Sequence, residues 1–173
     1  MQPVVHLAVG YLCYAAYVRL RGRDQPGDVA VLVAVFAAVL PDLIDQPLAI
    51  AGVTDVGRTM GHSLLFAIPL VFLVWFVTHR REHPTLGVAF AIGYASHIAA
   101  DIPWHVIAGD YHELGFLLWP VTDMPSYSGV KYLGTVSGFE VTTLWLEAVI
   151  FVGGIALWWA DGRPGFGAFR QLR

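Results

Sequence analysis

The sequence is short of cysteine and of charge. Cys13 is the only cysteine among 173 residues, which excludes a disulfide framework, a thiolate zinc site and a C-x-x-C redox pair. Charged residues make up 13% of the chain, against about 25% in ordinary soluble domains. The formal net charge is −3, so the chain lacks the basic surface with which proteins bind nucleic acid.

Apolar residues are abundant instead. They make up 57% of the chain, and the mean hydropathy is +0.62. A globule of this size cannot bury so much apolar side chain, and the same composition excludes disorder. The sequence therefore predicts a single integral membrane domain over residues 1–173, located in the plasma (inner) membrane. Ionisable residues inside its apolar segments are costly in lipid and point to function.

Five apolar segments approach the roughly 17–25 residues that a helix needs to cross the hydrocarbon. They cover residues 3–20, 28–50, 62–78, 85–108 and 141–160. Pro41 and Pro47 predict a broken helix within the second segment. Residues 109–140 are rich in Gly, Pro, Ser and Tyr, and we expect an exposed loop with a re-entrant or surface-lying piece. The fold class is therefore all-α, a polytopic membrane bundle of about five transmembrane helices.

The arginines indicate the orientation of this bundle. Residues 19–23, 80–81 and 163–173 hold eight of the ten Lys and Arg residues, and all three stretches lie at the same end of the predicted helices. The opposite end has only Arg58 and Lys131. Because cytoplasmic loops carry the excess of positive charge, the N-terminus is expected outside and the C-terminus in the cytoplasm.

Six ionisable residues from the five segments share one depth. Counted at 1.5 Å per helical residue, each lies about 20–30 Å from its nearest cytoplasmic arginine, in the outer half of the membrane. They are His6, Asp42, His62, His97, Asp101 and Glu147. Independent structural residues would scatter in depth, so this convergence predicts a common site.

The spacing and chemistry of these residues favour a metal. His97 and Asp101 are four residues apart and share a helix face, as two ligands of one ion would. Asp42 and Asp45 are three apart and also share a face. Carboxylate oxygens and imidazole nitrogens without thiolate suit a divalent ion, zinc first and then manganese or iron.

Each of these residues also has a simpler interpretation. His97 and Asp101 would pair by hydrogen bonding to hold helices together, and Asp42 and Asp45 would mark a helix end at the headgroup layer. His62 would begin a helix. In the same interpretation Glu147 and His6 are buried polar residues that bind no ligand.

The ordered motifs resemble those of a known family. They are Leu-Pro-Asp-Leu-Ile-Asp-x-Pro at 40–47, Gly-Arg-x-x-x-His-Ser at 57–63, His-x-x-x-Asp at 97–101 and Leu-Trp-Pro at 118–120, after an early histidine. In this order they resemble the membrane-bound metal-dependent hydrolases, the family that includes the LexA-regulated inner-membrane hydrolase. The order of carboxylate, histidine and His-x-x-x-Asp is also similar to the first zinc site of zinc-dependent phospholipase C. The resemblance implies five metal-site residues, His6, Asp42, His62, His97 and Asp101.

These observations lead to a hydrolase hypothesis. A membrane-embedded, divalent-metal-dependent hydrolase would act on a lipid or lipid-linked phosphoester at the outer leaflet, where the ion lowers the pKa of a bound water. Asp45 or Glu147 would take the proton of that water, and Arg58 would hold a phosphate. Membrane lipids are the expected partners, together with a membrane-protein partner or a second copy of the chain. The alternative is a non-catalytic small membrane accessory subunit whose His/Asp cluster packs helices or binds an ion.

Overall fold

The structure, a computed structural model, describes residues 2–109, 111–123 and 141–170. All regular elements in these ranges are helical, which confirms the all-α prediction. The elements are α1 (Pro3–Leu20), α2 (Asp28–Ala37), α3 (Leu40–Ile50), α4 (Leu64–Arg80), α5 (Pro84–Ala108), a 3-10 helix (Tyr111–Leu118), α6 (Val141–Ala160) and α7 (Phe166–Arg170).

Helix boundaries follow the apolar segments closely. Both α1 and α6 coincide with predicted segments, and α5 begins one residue early, at a proline whose fixed φ suits a first helical position. The start of α4 differs from the prediction. Ser63 caps this helix, because its hydroxyl accepts a hydrogen bond from the Leu65 amide at 3.2 Å. His62 therefore lies in the connection before the cap and does not begin the helix.

The second predicted segment is broken, although not at its prolines. The chain leaves the helix at Ala38 and Val39, between α2 and α3. Pro41 lies in the first turn of α3, where a missing N–H costs nothing, and Pro47 lies inside the same helix. The expectation of a broken helix is confirmed, while the position assigned to the break was wrong by a few residues.

The long helix α5 is the centre of the bundle. It packs against α1, α2 and α4, and α6 packs against α1. Small residues allow the close approach, as is usual between helices in membranes. A Cβ on Gly93 would overlap the carbonyl oxygen of Ala34, and one on Gly10 would overlap the Cβ of Ala38. The α2–α5 contact therefore brings the end of α2 directly against the middle of α5.

The outer surface of the described helices is apolar. By length and composition α1 and the Pro84–Ile102 part of α5 are able to cross a membrane, while α4 and the Leu144–Ala160 part of α6 are apolar but shorter. Large apolar side chains on α4 and α6 are more than half exposed, among them Ile68, Phe72, Leu73, Trp145, Val149 and Val152. Such a surface is suited to lipid contact.

The segment after α5 is more closely packed than the sequence suggests. The 3-10 helix buries Phe116 completely, in a cluster with Ala37, Ala67, Phe90 and Tyr94. In its described part the predicted loop is a surface-lying 3-10 helix, which one buried aromatic side chain anchors to the bundle while Tyr111, Leu118 and Val121 stay exposed. Residues 124–140 lie outside the described residues.

Candidate metal centre

Four parts of the chain bring their polar side chains to one point. His6 comes from α1, Asp42 from α3, His62 from the connection before α4, and His97 and Asp101 from α5. Two overlapping trios have ligand atoms within 4.8 Å of one another, His6–Asp42–His97 and His62–His97–Asp101. Asp42 is partly exposed and the other four are buried. Five of the six residues predicted to share one depth thus form a single cluster of side chains.

His62 and His97 face each other through the same ring nitrogen. Their Nε2 atoms lie 3.0 Å apart. His62 Nδ1 lies 2.8 Å from Oδ2 of Asp45, and His97 Nδ1 lies 2.7 Å from the carbonyl oxygen of Ala38. Because carboxylate and carbonyl oxygens only accept, both Nδ1 atoms carry the proton and both Nε2 atoms present lone pairs. When both rings are neutral, two facing lone pairs repel each other unless a cation lies between them, whether a metal ion or a proton shared by the two nitrogens.

Carboxylates complete this donor set. Asp42 Oδ1 lies 3.7 Å from His62 Nε2 and 4.0 Å from His97 Nε2, and Asp101 Oδ2 lies 3.7 Å from His62 Nε2. Two ligand atoms about 2.1 Å from one tetrahedral ion are about 3.4 Å apart. The printed pairs of these nitrogens and oxygens lie 3.0–4.0 Å apart, a spacing that is compatible with a divalent ion.

His6 lies at the edge of this set. Its Nε2 atom is 3.4 Å from Oδ1 of Asp101, and its ring stacks on that of His97 with the centroids 3.8 Å apart. Its Nδ1 atom is buried and has no hydrogen-bond partner among the described residues. Buried polar atoms are nearly always paired, so this nitrogen points to a partner outside the described residues, such as a bound ligand.

Asp45 lies behind the His62 ring. Its carboxylate accepts from the Thr59 amide at 2.7 Å, the Thr59 hydroxyl at 3.1 Å and the Gly61 amide at 2.9 Å, in addition to the His62 ring. The His62 amide adds a fifth contact at 3.3 Å. One fully buried carboxylate thus organises the connection that carries His62.

Arg58 lies in the site and Glu147 does not join the donor set. Arg58 Nε lies 3.0 Å from Oδ2 of Asp101, and its guanidinium lies over the Phe116 ring, 5.8 Å from the centroid. Glu147 is buried on α6, where its carboxylate accepts from the Gln2 amide at 3.2 Å. That contact joins the start of α1 to α6, and Glu147 belongs to neither of the described trios.

Sequence reasoning missed several supporting groups. Tyr94 donates to the Gly61 carbonyl at 2.6 Å, and the Ser63 hydroxyl donates to the Trp119 carbonyl at 2.7 Å. Both contacts, like that of the Ala38 carbonyl, end on a backbone oxygen. The spacing of residue types in a sequence does not show which backbone carbonyl oxygen will accept a side-chain hydrogen bond. A helix break beside an apolar run does indicate where a carbonyl oxygen lacks its helical partner.

Comparison with family models gives a match over most of the chain. A family model described as YdjM inner membrane protein matches residues 1–164, which include every member of the cluster. No curated protein and no solved structure matches the chain.

Proposed function

The chain belongs to the YdjM inner membrane protein family, and we propose that it is a membrane-embedded, divalent-metal-dependent hydrolase of a lipid or lipid-linked phosphoester. The observation that carries the proposal is the 3.0 Å separation of the His62 and His97 Nε2 atoms, both directed as acceptors by their Nδ1 contacts. Buried, facing lone pairs are unfavourable by themselves and favourable around a cation.

The ligands in this proposal are His62, His97, Asp42 and Asp101. Zinc suits two imidazoles and two carboxylates best, with manganese and iron as the next choices. His6 is the remaining member of the cluster, and the unpartnered Nδ1 atom supports a role as a further ligand or as a base. When bound, such an ion supplies Lewis acidity and a nucleophile at neutral pH.

The contacts of the chain suggest how it prepares this chemistry. Asp45 directs its oxygens to the 59–62 backbone and to the His62 ring, which supports a positioning role in place of the general-base role considered from the sequence. Glu147 is engaged by the Gln2 amide, away from the donor set. We therefore assign proton acceptance to His6 Nδ1, whose lone pair is available if Nε2–H donates to Asp101.

Arg58 is assigned to the phosphate. A guanidinium binds phosphate oxygens in a planar, two-pronged geometry. Its Nε atom lies on Asp101 while its planar face lies over Phe116, an arrangement that fixes the direction of the group. The Arg58 side chain is 13% exposed, so a substrate reaching it would displace little water.

The location of the cluster favours a lipid substrate. Along α5, His97 lies about 20 Å from the helix start at the arginine-bearing end. In the proposed five-span topology, with the N-terminus outside, this places the cluster in the outer half of the membrane. A phosphoester at the headgroup layer would reach such a site, whereas a soluble substrate would not meet it as readily.

The test combines metal analysis with a hydrolysis assay. The purified protein is reconstituted in lipid, supplied with zinc or manganese, dialysed and measured for metal by mass spectrometry, and phosphate or headgroup release from phospholipids is then followed. We expect one ion per chain and hydrolysis that His97→Ala abolishes. Absence of a stoichiometric ion would overturn the proposal. An ion without hydrolysis of any lipid phosphoester would support the accessory-subunit alternative.

A further inference from the structure

A cavity lies at the arginine-bearing end of the bundle, between α1 and α5. Its volume is about 260 Å³, and its lining includes Tyr14, Tyr17, Arg21, Arg23, Pro84 and Thr85. We call it the basic cavity. It is separate from the metal cluster, because Tyr14 lies about 12 Å beyond His6 along α1 and Thr85 lies about 18 Å before His97 along α5.

The two arginines of the basic cavity are not neutralised by the described residues. Arg19, on the same stretch of chain, forms an ion pair with Asp161 at 2.5 Å. Neither Arg21 nor Arg23 has an acidic partner within the described ranges. Asp24, the nearest acidic residue in sequence, is exposed and does not line the cavity. The cavity therefore presents uncompensated positive charge.

Hydrogen-bond donors from α1 and α5 add to this charge. Pro84 and Thr85 begin the 25-residue helix α5, whose positive dipole end favours an anion. Tyr14 is 1% exposed and lines the cavity, and it makes no hydrogen bond to the described residues. The ring of Tyr14 is enclosed while its hydroxyl is open to the cavity, where it adds a hydrogen-bond donor beside the two arginines and the helix start.

We propose that the basic cavity binds a phosphate-bearing anion. Arginine matches phosphate oxygens with two parallel donors, and basic pockets between transmembrane helices bind lipid phosphates on the cytoplasmic side. An apolar cavity of about 150 Å³ holds benzene, so 260 Å³ is room for a phosphate with part of a glycerol group. The ligand is an anionic lipid headgroup or free phosphate, which share this chemistry. The proposal does not depend on the hydrolase function.

The lipid arm of the test counts bound lipids. The full chain in detergent is mixed with equal amounts of phosphatidylglycerol and phosphatidylcholine, and the lipids retained by each molecule are measured by native mass spectrometry. We expect phosphatidylglycerol to be preferred, and the Arg21→Gln/Arg23→Gln variant to lose about tenfold or more of that preference. The matched control is Arg80→Gln/Arg81→Gln, which removes two arginines at the same end that do not line the cavity.

A second arm uses inorganic phosphate and a milder variant. Phosphate binding to the delipidated protein is measured by calorimetry, and a site for free phosphate predicts saturable binding that the Arg21/Arg23 variant loses. Tyr14→Phe removes one hydroxyl with little effect on packing. It should lower the affinity for the ligand that binds by a smaller factor than the Arg21→Gln/Arg23→Gln variant does. An equal loss of lipid preference in both arginine pairs would identify a general surface-charge effect and overturn the proposal. So would the absence of both phosphatidylglycerol preference and phosphate binding in the unaltered chain.

Discussion

Arg58 and His62 both lie near the same carboxylate oxygen of Asp101. Oδ2 of Asp101 lies 3.0 Å from Arg58 Nε and 3.7 Å from His62 Nε2. The guanidinium therefore contacts the donor set directly. It also offsets part of the negative charge that Asp42 and Asp101 bring into a buried cluster, which makes Arg58 a sensitive position for substitution.

Arg58→Lys should separate metal binding from hydrolysis. Lysine keeps the positive charge and cannot reproduce the planar pair of donors. We expect metal content to stay within about twofold of the unaltered protein while kcat/KM for a lipid phosphoester falls about 100-fold, as when one fixed transition-state donor is removed. Unchanged kcat/KM would show that Arg58 does not contact the phosphate.

His97→Ala and Asp101→Ala should each strip the divalent ion. A site with three or four protein ligands cannot easily replace one of them. The matched controls are His79→Ala and His83→Ala, since both histidines are exposed at the arginine-bearing end. Metal content of the four purified variants is the measurement. Equal metal content in all four would favour the interpretation of the cluster as helix packing.

Asp42→Asn and Asp45→Asn should have different effects on metal binding and on stability. Asp42→Asn removes a proposed ligand, so metal binding and hydrolysis should both be lost. The Asp45 carboxylate accepts several hydrogen bonds, whereas the NH2 group of an asparagine can only donate. Asp45→Asn therefore leaves some of these donors unpaired and should lower the free energy of unfolding by about 1–3 kcal/mol. Because the His62 ring loses its orientation, metal affinity should also fall about 10–100-fold.

Metal titration and thermal unfolding distinguish these outcomes. Unchanged metal affinity in Asp45→Asn, with hydrolysis alone lost, would restore the general-base role and contradict the positioning role. Retention of metal and activity by both variants would exclude both carboxylates from the site.

Gly93→Ala should separate α2 from α5. The added Cβ would overlap the Ala34 carbonyl oxygen and lie 2.9 Å from its carbon, and neither backbone atom can move cheaply. We expect a loss of about 1–3 kcal/mol in the free energy of unfolding. Gly153→Ala is the control, because a Cβ there meets nothing within 4 Å and gains up to about 1 kcal/mol of helix propensity. Thermal unfolding in detergent compares the two, and similar destabilisation by both would contradict the close α2–α5 contact.

Cysteine labelling in intact cells tests the orientation. In a Cys13→Ser background, Arg80→Cys should be shielded from an impermeant thiol reagent and Val53→Cys should react. Val53 is 68% exposed between α3 and α4, at the end that bears the metal cluster. The expectation follows from the unequal distribution of arginine. Reaction at position 80 without reaction at position 53 would reverse the assigned topology.

The long helices could be predicted from the sequence because each consists mainly of apolar residues over a length that can cross a membrane. The bounds of α1 and α6 follow from the length of the apolar runs alone. The prolines mispredict the position of the break between α2 and α3, because both are accommodated within α3. The packing of Phe116 also escaped prediction, since a single aromatic residue in a loop carries no periodicity.

The members of the candidate site were predictable for a different reason. Ionisable residues are costly in lipid, so their presence at one depth on several helices is informative by itself. The depth of a residue along its helix does not show which way its side chain faces within the bundle. The sequence grouped Glu147 with the others, and the structure shows its carboxylate on the Gln2 amide. Likewise Asp45 shares a helix with Asp42 and contacts the far side of the His62 ring.

The break between α2 and α3 leaves the Ala38 carbonyl without a helical partner, and the His97 ring takes the place of that partner. In the proposed topology α2 starts at the membrane surface, and its ten residues, which rise about 15 Å, would bring the Ala38 carbonyl to about half the depth of the hydrocarbon. Water cannot satisfy a carbonyl there, and the His97 ring donates to it instead. The same imidazole therefore stabilises an interrupted helix in a metal-free molecule and offers its other nitrogen to the cluster. The fold itself thereby selects the tautomer of His97 before any ligand arrives.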